Sequence, residues 1–123
     1  MTDAAHTLGR ASAHDLLGAL DGAASMLDPV PLREVHDGGF SWSVDGQPIV
    51  TWSGASAAFR VGPDIGAAAR NTPDAAESTL GRDWVAFSPA ILDGHARDRI
   101  RAWFAAAHRR VEPLRARHAT TPA

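Results

Sequence analysis

Six histidines, His6, His14, His36, His95, His108 and His118, are the side chains of this chain best suited to metal binding or proton transfer. A metal centre needs convergent ligands, and on one element that means spacings such as HxH or HxxxH. No pair has either. His95 and Asp98 stand one turn apart, an arrangement common on solvated helices. Serine, histidine and aspartate all occur, but no Gly-x-Ser-x-Gly elbow presents a serine at a strand-to-helix turn. Gly38 and Gly39 do not open a helix with the spacing of a phosphate-binding loop, so they read as turn glycines. The chain has no lysine, tyrosine or cysteine, which excludes Schiff-base chemistry, a P-loop lysine, a thiolate nucleophile and a tyrosine acid or base. No catalytic residue, metal ligand or cofactor is expected.

Binding is better supplied than catalysis. Residues 1–92 hold five arginines against eleven acids, a net −6, whereas residues 93–123 hold seven arginines against three acids, a net +4. A phosphate or acidic partner is attracted only by the second region. Helical spacing there puts Arg97, Arg101 and His108 on one flank of a helix, and Asp98 is placed to pair with Arg101 at i+3. Trp52 is a candidate aromatic platform for a base or ligand, and Trp42, Trp52 and Arg60 are candidate walls of a small-molecule pocket. The candidate ligand or partner residues are thus Trp52, Arg60, Arg97, Arg101 and His108.

The elements that must position these residues follow from periodicity and turn chemistry. Residues 1–11 are small and polar and read as a flexible N-terminus. Ser12 is a good N-cap with Asp15 three residues on, and Leu16, Leu17, Leu20, Ala23, Ala24 and Leu27 form a helical stripe that must stop by Asp28, before Pro29 and Pro31. Leu32–His36 reads as a short strand. Gly39 to Trp52 then reads as a β-hairpin, because period-two apolar residues flank Asp45-Gly46, a pair suited to a type I′ turn. Counting outward from that turn pairs Trp42 with Ile49 and Phe40 with Thr51. This places Phe40, Trp42, Val44 and Ile49 on a core face and Ser41, Ser43, Val50 and Trp52 on the other.

A strand is expected over Ala57–Val61, a two-turn helix from Pro63 to Arg70, a connecting loop or single turn over Asp74–Gly81, and a strand over Trp84–Phe87. The last helix has Asp93 as N-cap and a stripe of Ala96, Ile100, Trp103, Phe104, Ala107 and Val111, with Pro113 expected to end it and 113–123 expected to be a flexible tail. These elements make an α+β fold in two layers: an antiparallel sheet of about four or five strands, an N-terminal helix, a short middle helix and an amphipathic C-terminal helix.

This order, together with Phe40-Ser41-Trp42-Ser43-Val44-Asp45-Gly46-Gln47-Pro48, Arg82-Asp83-Trp84-Val85-Ala86-Phe87 and Ala102 to Val111, resembles the MmcQ/YjbR-like proteins and the related N-terminal domain of TfoX-type proteins. The resemblance covers roughly residues 12 to 112. It implies helices on one face of an antiparallel sheet, in a family sometimes labelled DNA-binding, with no known catalytic residues. Gln47 stands where that family often has lysine and Asp83 where it commonly has glycine, which argues against a basic site near the hairpin.

At 123 residues and 45% hydrophobic, the chain has the size of one domain, expected over 12–112. No apolar run is long enough to span a bilayer, no secretory signal opens the chain, and cysteine is absent, so the expected compartment is the cytoplasm. Twelve arginines, no lysine and abundant alanine fit a GC-rich bacterial genome. The function expected is a binding or interaction module without chemistry of its own. Its open variants are a self-associating protein such as a homodimer, a weak nucleic-acid binder using the C-terminal arginines, and a small-molecule binder or enzyme with an aromatic-lined pocket. No membrane partner is expected.

Overall fold

The computed structural model describes residues 12–120, with side chains through Val111. Residues 1–11, expected as a flexible start, and 121–123 lie outside the described residues. The described chain is α+β: α1 (Ala13–Ser25), β1 (Leu32–His36), β2 (Gly39–Val44), β3 (Gln47–Ser53), β4 (Ser56–Arg60), α2 (Pro63–Ala69), β5 (Ala75–Ser78), β6 (Gly81–Phe87) and α3 (Gly94–Thr120). All strand pairings are antiparallel, in one six-stranded sheet of order β1-β2-β3-β4-β6-β5. The sheet thus has one strand more than the upper expectation.

The extra strand is β5, in the segment expected to be a loop or single turn. Ala-Ala-Glu-Ser has little intrinsic strand preference. It becomes a strand because it folds back on β6, pairing Ala75 with Phe87 and Ala76 with Ala86. Helix starts follow their caps. Ser12 Oγ accepts from the Asp15 N–H at 3.0 Å, and Asp93 Oδ1 accepts from the Ala96 N–H at 2.9 Å; such caps contribute about 1 kcal/mol each. Pro113 does not end α3, which continues to Thr120. A proline's fixed φ is itself helical, so it removes one hydrogen bond and crowds one carbonyl without forcing the backbone out of the helix.

The β2–β3 turn has Asp45 at φ 52° and Gly46 at φ 78°, both in the left-handed region that a type I′ turn demands. Beyond it the register departs from simple counting. Val44 pairs with Gln47 and Ser43 with Pro48, but the ladder then shifts by one, so that Trp42 pairs with Val50 and Phe40 with Trp52. Pro48 has no N–H to give to the ladder, and prolines inside sheets are accommodated next to bulges. The bulge corrects the face assignment: Val50 and Trp52 lie on the side of Trp42, and both Ile49 and Val50 are fully buried.

That side carries the core. Phe104 of α3 meets the edge of Trp42 at 5.9 Å between ring centroids and of Phe59 at 6.3 Å. Its neighbour Trp103 stands against Phe87 at 5.2 Å and Phe59 at 5.9 Å. Leu16 and Leu20 of α1 complete the same buried cluster. Arg33 of β1 pairs with Asp21 of α1 at 2.6 Å and lies over the Phe40 ring, fastening the outer strand to the helix layer.

Candidate binding groove between the two long helices

Along α1, Gly18, Ala19 and Gly22 form a row of small residues beside the buried Leu16/Leu20 stripe. Along α3, Arg97, Arg101 and Ala105 recur at four-residue intervals and therefore share one side of the helix. Packing of α1 beside α3 brings these two rows together. They line a half-open groove of about 530 Å³, with Gly18, Ala19, Gly22, Ala23 and Ala105 as its small apolar residues and Arg97 and Arg101 as its cations. Met26 and Leu27 complete the lining, and Met26 is 83% exposed. From Arg97 to Ala105 the helix advances about 12 Å.

The two guanidiniums differ in company. Arg101 lies 3.5 Å from the Asp98 carboxylate, a pair so exposed that it contributes little. Arg97 is exposed and has no acidic partner among the described residues. An apolar floor beside two cations four residues apart suits an amphipathic anion, with its apolar part against the small side chains and its anionic part against the guanidiniums.

The other sequence candidates lie elsewhere. His108 is only 4% exposed, and its Nε2 donates to the Pro29 carbonyl at 2.9 Å, tying α3 to the loop after α1. It therefore leaves the basic flank on which simple helical spacing places it. Trp52 is half-buried and stacks on Phe40 at 5.6 Å, with its indole N–H shielded and without a hydrogen-bond partner among the described residues. The bulge, by turning Trp52 to the helix side, is what removes it from the open face. Trp42 is a core residue. Arg60 faces Asp83, which also accepts from Arg110 at 3.2 Å, and borders a hollow of only about 10 Å³. Trp42, Trp52 and Arg60 thus serve three different neighbourhoods and do not wall one pocket.

One juxtaposition has the look of chemistry. His36 Nε2 and Ser41 Oγ are 2.6 Å apart across β1 and β2, with Glu34 accepting from Ser43 beside them. Ser41 is 3% exposed and sits mid-strand between two ladder partners, so neither an approach path nor free N–H groups for an oxyanion are at hand. The pair is a cross-strand brace. β1 itself is an edge strand whose Arg33, Glu34 and His36 blunt it against further pairing.

Sequence reasoning found Arg97 and Arg101 but missed the α1 half of the groove. The available signal was Gly18 and Gly22, two glycines four apart in the interior of an otherwise good helix. Among the described residues, no group of three or more His, Cys, Asp or Glu is placed to hold a metal ion, and no helix is long and apolar enough to cross a membrane. Searches against family models, curated proteins and solved structures match nothing.

Proposed function

We propose that this chain is a small cytoplasmic binding module without chemistry of its own, and that its binding side is the groove between α1 and α3. The observation that carries the reading is the coincidence of an open apolar floor with Arg97, a guanidinium that has no acidic partner among the described residues, and Arg101 one turn along. A cation left without a carboxylate beside apolar surface gains most from an external anion that also brings apolar area. Kinship with the MmcQ/YjbR-like proteins is part of the proposal, supported by the order of one helix, four strands, a short helix, two further strands and a closing helix.

The test uses anilinonaphthalene sulfonate, a fluorescent amphipathic anion. The unmodified protein is expected to bind it saturably at one site. Arg97→Ala/Arg101→Ala should weaken that binding by about fivefold to tenfold, the worth of two exposed charge contacts. Gly22→Leu should abolish it by filling the floor. Absence of saturable binding, or binding that neither variant alters, overturns the reading.

A further inference from the structure

We propose that the occupant of the α1–α3 groove is an amphipathic helix of a partner protein, laid with small or flexible apolar side chains against Gly18 and Gly22 and with two carboxylates, four residues apart, against Arg97 and Arg101. The inference rests on the groove being the binding side and adds the class of its occupant. Three observations favour a helix over a small amphipathic molecule.

The first is the floor. Glycine inside a helix lowers its stability, and it persists where a backbone must be approached closely. A Cβ on Gly18 or Gly22 meets no atom within 4 Å, so no packing among the described residues requires either glycine. A partner backbone crossing there would, since small residues on one helix let a second approach closely.

The second is the shape and lining. Pockets for small molecules are enclosed and rich in aromatic side chains, whereas this groove is half open to solvent and has no aromatic lining residue. Its length along α3, about 12 Å, matches a little over two turns of a docked helix, which is the reach of anchors at i, i+4 and i+7. Met26, exposed in the lining of the groove, is the kind of adaptable apolar side chain that recurs at helix-binding surfaces.

The third is charge. Arg97 and Arg101 repeat at four residues, and carboxylates at the same spacing on a facing helix meet both at once. The helix that fits is therefore acidic along one edge and apolar along its underside. The asymmetry of the chain, positive after residue 92 and negative before it, steers such a partner to α3.

The experiment is a selection of displayed peptides, about six turns long and randomised on a helical framework, against the full chain. The selected peptides are expected to be helical when bound and to carry acids at i and i+4 with Ala, Leu or Met on the adjoining face. Arg97→Glu/Arg101→Glu, both exposed positions, should weaken them by more than about tenfold, because like charges then face each other. The same variant should enrich basic peptides in a repeat selection. Gly18→Ala/Gly22→Ala should weaken the original peptides by about tenfold through two methyl groups on the floor. If no peptide is enriched while the sulfonate dye still binds at the groove, the helix is overturned and the groove reading stands; loss of both overturns both. Peptides that bind without acids, or that are indifferent to the variants, also overturn it. So does a concentration-dependent dimer in sedimentation that Gly22→Leu abolishes, since the groove would then hold a second copy of this chain.

Discussion

Gly18 and Gly22 stand one turn apart on α1, and a Cβ added to either would enter open space. Each therefore lowers helix stability with no packing gain among the described residues in return. Gly18→Ala and Gly22→Ala should each raise unfolding free energy by about 0.5 to 1 kcal/mol, read as a higher urea midpoint with an unchanged slope. A loss of stability in either variant would show that the floor of the groove is packed against something in the folded chain. Stability gained together with binding lost is the pattern expected where function opposes stability.

Trp103 holds α3 to the sheet through two ring contacts, with Phe87 and Phe59. Trp103→Ala should cost about 3 to 5 kcal/mol, a large part of a small domain's stability. Equilibrium denaturation measures it. An unchanged midpoint would mean that the helix stripe does not face the sheet.

At Gly46 the constraint is conformational, because φ is 78° and an added Cβ meets nothing within 4 Å. Asparagine tolerates that region and valine does not. Gly46→Val should therefore lower Tm well below that of Gly46→Asn, with the difference worth about 1 to 2 kcal/mol. Equal Tm values would contradict the type I′ turn.

Gly39 is constrained by contact instead. A Cβ there would lie 1.8 Å from the Trp52 carbonyl oxygen, in backbone that cannot swing aside like a side chain. Gly39→Ala should cost about 3 kcal/mol by forcing β2 and β3 apart where Phe40 pairs with Trp52. Thermal unfolding followed by Trp fluorescence is the measurement, and a cost below that of Gly46→Asn would contradict the close approach.

Duplex DNA is the partner to test against the groove. Among the described side chains of α3, His108 is buried, Arg110 is held by Asp83 and Arg101 is beside Asp98, which reduces the cations open to phosphate there to Arg97, Arg99 and Arg109. Fluorescence anisotropy should show no saturable DNA binding at about 50 mM salt. Saturable binding whose salt slope falls by roughly 1.8 in Arg97→Ala/Arg101→Ala would assign those arginines to phosphates and displace the helix-docking proposal.

By itself the sequence determined the features that depend on near neighbours along the chain. The Ser12 and Asp93 caps, the Asp45-Gly46 turn and the α3 stripe all rest on residues within about one turn of each other, where side-chain and backbone chemistry act without help from the rest of the fold. Tertiary structure decided what depends on residues far apart. β5 exists because β6 offers it a ladder, and its own four residues carry no signal for one. The bulge after Pro48 moved Trp52 from the open face to the helix side; a proline within a strand was the only hint, and period-two counting has no place for an extra residue. His108 left the surface for the Pro29 carbonyl, 79 residues earlier in the chain. The groove belongs to the same class. Arg97 and Arg101 are legible as a pair from their spacing, but their chemistry depends on which surface lies beside them, and only the packing of α1 against α3 supplied one without a carboxylate or an aromatic ring.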